Sequence, residues 1–176
     1  MRANSMIIRR LFRGLGLRVG LLAGLLVALS GCASSPFVID TPPDMVEVTT
    51  ERDPVFNYRA TSMEGAVLGV RVLDEPAGKD VESPGQTFWV DAIKRNLRVH
   101  KGYALTGEEA IKSANGVPGT LLKFGRDQRS ESYIYWVAIF RTDANLHLID
   151  AGGRAEHFTQ SQPAIEKALA SYKVNP

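Results

Sequence analysis

The sequence predicts a single α+β domain in which about five to six strands form a mainly antiparallel sheet with helices packed on both faces. Three observations support this class. Apolar residues recur at helical spacing at Trp89, Ile93 and Leu97. Residues 120–149 have the pattern of closely spaced strands in a meander. Within that segment, residues 133–140 are apolar on both faces of a strand, so both faces need a cover.

Residues 1–31 have the parts of an export signal. Their only charged residues are five arginines, and residues 19–28 form a short apolar segment followed by small residues. This combination predicts a signal peptide. An uncleaved membrane anchor is the alternative, but a spanning helix needs about 20 apolar residues and this segment is shorter.

The four residues that close the signal are Leu29, Ser30, Gly31 and Cys32, a pattern that resembles the lipobox of bacterial lipoproteins. The resemblance implies cleavage before Cys32 and acylation of its thiol, the only thiol in the chain. Each buried methylene contributes roughly 0.8 kcal/mol, so two or more palmitate-like chains give stable anchoring. Ala33 after the cysteine implies the periplasmic face of the outer membrane, and the inner membrane is the alternative.

A second export pattern overlaps the first. Arg9 and Arg10, followed by Leu11 and Phe12, resemble the core of a twin-arginine signal. Arginine pairs are also common at the start of Sec signal peptides, so the Sec route and the twin-arginine route both stay open.

The charge of the chain changes when the signal is removed. The sequence has 21 Lys and Arg, and five of these arginines lie in residues 1–31, which leaves 16 against 19 Asp and Glu, a net charge of −3. The remaining chain has no basic excess of the kind that binds nucleic acid, so no nucleic-acid partner is expected.

Residues 32–53 are rich in Ser, Thr and Pro, which disfavours helix and predicts an extended tether. The alternative is that residues 37–39 or 46–48 add an edge strand to the domain. The domain itself is assigned to residues 54–176, a length that suits one core.

The first half of the domain is predicted to contain a strand and two helices. Residues 66–73 are continuous and rich in β-branched side chains, which predicts the strand. A helix is predicted from Pro84 to Gly102. The capping-box spacing of residues 106–109 predicts a second, short helix through Ser113.

The second half is predicted to contain three strands and a helix. The strands are residues 120–124, 132–142 and 146–149, and residues 125–131 form a polar loop between the first two. The middle strand is expected to lie inside its sheet. The last helix is expected to start at Ser161 and Pro163 and to bury Ile165, Leu169 and Tyr172.

Three segments within residues 58–174 resemble the PsbP-like family, which includes the photosystem extrinsic protein and small bacterial lipoproteins such as DcrB. They are residues 133–135, 148–153 and 164–172. The resemblance implies the fold described above and a non-enzymatic binding or assembly role. It carries over no active-site residue.

The residues themselves predict no catalytic, metal or cofactor site. His100, His147 and His157 lack metal-ligand spacing, and there is no second cysteine to join them. No Gly-x-Ser-x-Gly nucleophile pattern occurs. His147 lies on a predicted strand and is interpreted as a solvent-facing or hydrogen-bonded residue.

Two polar loops are the candidate partner-binding segments. One contains Arg126, Asp127 and Arg129, and the other contains Asp150 and Arg154. The predicted meander puts them at opposite ends of the middle strand, so they are expected to form separate patches. The alternative is that both are ordinary solvated loops, since loops are polar whatever their function.

Three functions follow from these observations. The main hypothesis is a lipid-anchored, non-catalytic periplasmic module that binds or assembles with another protein of the bacterial envelope. An accessory lipoprotein of a secretion or transport machine is the alternative. An envelope hydrolase is disfavoured, because no nucleophile with a matching base is apparent in the sequence.

Overall fold

The strands and helices are known for residues 35–50, 55–75 and 84–175, which a computed structural model of the protein describes. The predicted signal peptide, the lipobox and Cys32 lie outside these ranges. The described residues from Ser35 onward belong to one compact unit. No helix within the described ranges has the length and apolar character needed to cross a bilayer.

The described residues form nine strands, seven of which make up one sheet. The bounds are β1 (Phe37–Val38), β2 (Met45–Glu47), β3 (Tyr58–Ser62), β4 (Val67–Asp74), β5 (Ala104–Lys112), β6 (Pro118–Gln128), β7 (Glu131–Arg141), β8 (Asn145–Arg154) and β9 (Lys173–Val174). Strands β2 to β8 form one antiparallel sheet in the order β2-β3-β4-β8-β7-β6-β5, and β1 pairs with β9 separately. The predicted antiparallel α+β class is confirmed, with a larger sheet than expected.

Two helices cover the sheet from opposite sides. Helix α1 (Gln86–Arg95) continues as a π-helical turn over Asn96–His100, and helix α2 is Ala155–Ser171. Strand β7 divides its side chains between them: Val137 and Ile139 face the α1 side, and Trp136 and Phe140 face the α2 side. Residues 136–140 are buried on both faces, and β7 lies inside the sheet between β6 and β8, as predicted.

Helix α1 packs and ends as the sequence predicts. Trp89, Ile93 and Leu97 all pack against the apolar cluster on this face of the sheet. Gly102 has a φ of 68°, a left-handed conformation that suits glycine and closes the helical segment.

The predicted polar loop over residues 125–131 is wrong, because the β6–β7 ladder continues through it. The ladder ends at the pair of Gln128 and Glu131, so only Arg129 and Ser130 form the turn. Both have positive φ, 51° and 65°, which is the pattern of a two-residue type I′ hairpin. The hairpin lacks the Asn-Gly or Asp-Gly pair that usually marks such a turn in a sequence.

The short helix predicted through Ser113 is also wrong, because these residues form edge strand β5. Strand β5 pairs with β6 along its length, with a register shift between Leu105 and Gly107. Pairing satisfies the backbone groups of β6, whereas an isolated helix of two turns is marginally stable. Glu109, interpreted as a helix cap, instead accepts from Lys123 Nζ at 2.6 Å.

Helix α2 starts at Ala155, well before the predicted start, and Pro163 lies inside it. The added first turns bury Phe158 completely. Its ring lies edge-on against Trp136, with centroids 5.0 Å apart. Burying a side chain of this size stabilises by roughly 1.5–3 kcal/mol, which offsets the hydrogen bond that proline removes from the helix.

Residues 35–50 belong to the domain, so the predicted tether is wrong over its described part. Strand β1 pairs Phe37 with Val174, and β2 pairs with β3 at the edge of the sheet. Phe37 and Met45 are buried. The edge-strand alternative is therefore correct. The prolines here exclude helix, but they leave room for short strands on either side.

Tyr172 connects the ends of the chain to the sheet. Its ring stacks on Phe37 and on Phe140, with centroids 5.6 Å apart in both cases. Its hydroxyl lies 2.8 Å from Nδ1 of His147, which is fully buried. Burial lowers the pKa of His147 to about 4, because the charged ring would lose its hydration. Of the two interpretations of His147, a solvent-facing residue or a hydrogen-bonded one, the structure confirms the second.

Phe37→Ala is expected to lower the free energy of unfolding by about 3–4 kcal/mol, because it removes a buried ring from the Tyr172 stack. Urea denaturation measures the change. The matched control is Val38→Ala on the same strand, where the side chain is 47% exposed and the expected loss is below about 1 kcal/mol. Equally small losses for both variants would show that this segment is a tether after all.

His147→Asn is expected to flatten the dependence of stability on pH. The folded pKa of about 4 lies below the unfolded value of about 6.5. The stabilisation from neutral His147 is therefore complete above pH 6.5, and roughly 3 kcal/mol of it is lost as the pH falls to 4. Denaturation between pH 7 and pH 4 measures this loss.

The control for this series is His100→Asn, which removes a histidine at an exposed position. If the free energy of unfolding fell equally between pH 7 and pH 4 in His147→Asn and in the wild type, the pH dependence would not come from His147.

Candidate functional site

A buried carboxylate, Asp150, organises the part of the sheet face that lies beyond α1. It stands on β8, opposite Gly69 of β4 and Val137 of β7. Its oxygens accept hydrogen bonds from Nε of Arg71 at 2.7 Å and Nη2 at 2.9 Å, and Oδ1 also accepts from the Tyr135 hydroxyl at 2.6 Å. Such a two-point contact fixes the plane of the guanidinium group.

The negative charge of Asp150 is balanced by the positive charge of Arg71. The Asp150 side chain is 7% exposed and the Arg71 side chain is 30% exposed, so the arginine reaches solvent while the carboxylate does not. Burial, followed by the negative charge of Asp150, raises the pKa of Tyr135 well above its ordinary value. Tyr135 therefore stays protonated and donates, and both carboxylate oxygens are occupied by donors.

An open cleft lies above this cluster, between α1 and the ring of Phe56. It consists of adjoining cavities of about 480 and 280 Å³, and Asp150 and Tyr135 line both. Gly152 allows the Tyr135 ring to lie against the strand, because a Cβ atom at this position would be 2.7 Å from Tyr135 Cδ2. This glycine therefore serves a close approach between neighbouring strands.

A second cluster of aromatic and cationic side chains continues the cleft. The rings of Tyr103 and Tyr135 lie with centroids 5.6 Å apart. The guanidinium carbon of Arg126 lies 4.7 Å from the Tyr103 ring centre and 5.8 Å from that of Tyr133. Its Nη1 donates to the carbonyl of Lys101 at 2.9 Å. The π-face contacts and the hydrogen bond hold Arg126 in place.

We call this surface the tyrosine–arginine patch, and its members are Arg71, Tyr103, Arg126, Tyr133, Tyr135 and Arg154. Arg154 completes it, because it pairs with Tyr133 in the β7–β8 ladder. Its Nη1 lies 3.3 Å from Glu131 Oε1, an ion pair in which both side chains are substantially exposed.

The structure brings together residues that the sequence analysis assigned to separate patches. Arg126 and Arg154 lie on either side of Tyr133, in the strands that flank β7. The prediction that they lie at opposite ends of the middle strand is wrong. Because β8 runs antiparallel to β7, the end of β8 lies beside the start of β7.

The other predicted residues have different positions. Asp127 is exposed near the end of β6 and accepts from Ser132 Oγ at 2.6 Å. Arg129 is an exposed turn residue. Asp150 is a buried strand residue, so its assignment to a loop is wrong.

Four members of the patch are not among the predicted site residues, namely Arg71, Tyr103, Tyr133 and Tyr135. The signal for Arg71 is a charge between the apolar residues Val70 and Val72, and Asp150 is a similar charge between Ile149 and Ala151. Arg71 and Asp150 can form an ion pair because β4 and β8 are neighbours in the sheet, and the sequence does not reveal this strand order.

Basic residues surround the patch. An open groove of about 880 Å³ between the π-helical turn and β5 is lined in part by Lys94, Arg95, Arg98 and Tyr103. Lys94 contacts Asp91 at 3.1 Å and Glu108 at 3.2 Å, and these hydrogen bonds raise its pKa. The basic residues at this end of the domain are Lys94, Arg95, Arg98, Lys101, Arg126, Arg129 and Arg154.

A second buried carboxylate lies at the opposite end of α1. Glu75 accepts from Trp89 Nε1 and from Arg141 Nε, both at 3.1 Å. Glu75 therefore holds α1 to the sheet through Trp89. Within the described ranges, no group of three or more His, Cys, Asp or Glu side chains is placed to hold a metal ion.

Solved structures with the same architecture identify the fold. Cyanobacterial PsbP (CyanoP) from Synechocystis sp. PCC 6803 is 13% identical, with a TM-score of 0.54 over 79% of this chain and 86% of that chain. The domain has a PsbP-like fold. LpqN of Mycobacterium tuberculosis, described as involved in cell envelope biogenesis, is 10% identical, with a TM-score of 0.61 over 84% of this chain and 88% of that chain.

The PsbP-like resemblance read from the sequence is thus confirmed for the architecture. No protein-family model matches the chain, and no curated protein sequence matches it. The function of this PsbP-like domain therefore has to be argued from its own residues.

Asp150→Asn is expected to lower the free energy of unfolding by about 2–3 kcal/mol. The change leaves Arg71 without its counter-ion, and the cost is below that of a fully buried pair because Arg71 is partly exposed. Urea denaturation measures it. The control is Glu131→Gln in the exposed pair with Arg154, where a loss below about 0.5 kcal/mol is expected. Equal losses would contradict the role given to Asp150.

Proposed function

We propose that the protein is a lipid-anchored, non-catalytic module of the bacterial cell envelope that binds an acidic surface of another envelope protein through the tyrosine–arginine patch. The anchor is the acylated Cys32 of the lipobox. The architecture shared with LpqN, which is described as involved in cell envelope biogenesis, supports an envelope setting.

The composition of the patch is the observation that carries the proposal. Tyr and Arg are enriched in the central residues of protein interfaces, because they offer a large contact area together with hydrogen-bond donors. Here three tyrosines and two arginines are held by one another and by Asp150 before any partner arrives, and Arg154 pairs with Glu131 beside them. Such fixed side chains lose little conformational entropy on binding.

The charge distribution supports an acidic partner. Seven basic residues lie at this end of the domain, and the carboxylates beside them include Asp91, Glu108, Asp127 and Glu131. The chain from Cys32 onward has a net charge of −3, so the remaining surface carries the excess of carboxylates. A basic end on an acidic domain steers an acidic partner towards the patch.

The bonding of Asp150 supports binding rather than catalysis. A general base needs a lone pair directed at the substrate. Three of the roughly four lone-pair positions of the Asp150 carboxylate already accept hydrogen bonds, from Arg71 and from Tyr135. The carboxylate is used to position two donors at the floor of the cleft.

A crosslinking experiment in cells tests the proposal. A photo-crosslinking amino acid placed at Tyr133 should capture one predominant envelope protein, whereas the same group at Phe88, an exposed aromatic outside the patch, should not. The purified partner should then bind the native protein with an affinity that falls as salt rises. Arg154→Glu should weaken this binding at least about tenfold, as expected for charge reversal at an interface.

Lys167→Glu, a charge reversal at an exposed position of α2, is the matched control and should leave the affinity unchanged. Equal effects of the two reversals, or equal capture from Tyr133 and Phe88, would place the interface outside the patch. Labelling of the purified protein by an activity-based hydrolase probe would contradict the non-catalytic assignment.

A further inference from the structure

We propose that the domain stands upright on the bilayer, with the β5–β6 turn (residues 113–117) against the phospholipid headgroups and the β6–β7 hairpin pointing away from them. This inference deepens the proposed function and rests on acylation of Cys32. It follows from the position of the first folded residues.

The chain between the anchor and the fold is very short. Ala33 and Ser34 separate Cys32 from Ser35, the first residue that the structure describes. Three residue steps span at most about 10 Å. Ser35 is held in the fold, because its carbonyl accepts a hydrogen bond from Asn175 Nδ2 at 2.8 Å. An acylated Cys32 therefore keeps this end of the domain at the headgroup layer.

A series of hydrogen bonds joins the start of the fold to residues 113–117. The backbone N–H of Asn175 donates to Pro36 at 2.8 Å. The side chain of Asn115 donates to the Val174 carbonyl at 2.7 Å and accepts from its N–H at 3.1 Å. The β5–β6 turn thus lies at the anchored end, and its Ala114 to Gly116 are exposed.

The tyrosine–arginine patch lies towards the other end of the sheet. Strand β6 begins next to the β5–β6 turn at Pro118 and ends at Gln128, where the hairpin starts. Ten residue steps at about 3.4 Å separate the two ends by roughly 34 Å. Arg126 and its partner Tyr133 lie close to the hairpin end. A domain held by its other end presents them to the periplasm.

The shape of the patch favours a protein over the bilayer as its occupant. The patch surrounds a concave cleft, and a flat headgroup layer cannot fill a concavity. The hairpin tip has no apolar side chain to insert into lipid, because it consists of Gln128, Arg129, Ser130 and Glu131. Membrane-surface segments combine basic residues with apolar side chains that enter the acyl boundary.

Energy transfer on vesicles tests the orientation. The full acylated protein, purified from membranes, carries its only native cysteine as a thioether, so Ala114→Cys and Gln128→Cys each give one reactive thiol for a donor dye. Both positions are exposed. Vesicles of phosphatidylethanolamine and phosphatidylglycerol with an acceptor dye on the headgroups receive each labelled protein. Transfer from position 114 should be several-fold more efficient than from position 128.

Equal transfer from the two positions, or stronger transfer from position 128, would overturn the upright orientation. Stronger transfer from position 128 that disappears in uncharged phosphatidylcholine vesicles would show that the basic end lies on anionic lipid instead. Insertion of about 20 Gly and Ser residues between Ser34 and Ser35 is the control, since a flexible linker of this length should reduce the difference between positions.

The two proposals fail in different ways. Intact mass of the purified protein reports acylation of Cys32 before any vesicle is added. An unmodified thiol with residues 1–31 still attached would remove the anchor and with it the proposed membrane location. An acylated protein that binds vesicles without the expected asymmetry would remove the orientation alone.

Discussion

The packing of Tyr172 is the constraint on which the arrangement of the domain depends. Its ring stacks on Phe37 from the first strand and on Phe140 from the sheet, and its hydroxyl meets His147. These three contacts come from segments far apart in the chain, so they can form only when the sheet and α2 are in place. They also determine where the chain enters the domain, because Phe37 is fixed by a ring that belongs to the core.

The tyrosine–arginine patch follows from the different lengths of the sheet and the helix that covers it. Strand β7 has 11 residues and spans roughly 34 Å, whereas the helical segment 86–100 spans about 21 Å. The helix therefore leaves part of the sheet face open. Side chains on this open part are half-buried, with one part against the sheet and the other in solvent. Tyr and Arg suit such positions because each has an apolar part and a polar end. The patch combines these side chains with a buried ion pair beneath them.

The sequence predicts those elements whose signals come from burial. The two apolar faces of residues 133–140 predict an internal strand, and the stripe of α1 predicts the helix on one side of it. Local spacing is less informative: the interval from Thr106 to Glu109 fits both a helix cap and an edge strand, and pairing with β6 decides between them. The patch depends on the order of the strands. Arg126 and Arg154 were recognised separately, and their proximity is a property of the antiparallel pairing.

The buried pair of Arg71 and Asp150 is informative because stability alone does not require it. Burying two charges costs hydration that their attraction regains only in part, and well-packed apolar residues of similar size are often at least as stable. Apolar replacements at these positions would leave the sheet intact but would remove the donors at the floor of the cleft. The carboxylate fixes one guanidinium group and one phenol with three hydrogen bonds. The pair thus uses a buried charge to orient donors at the floor of the cleft, and this preorganisation is what the proposed binding through the tyrosine–arginine patch would use.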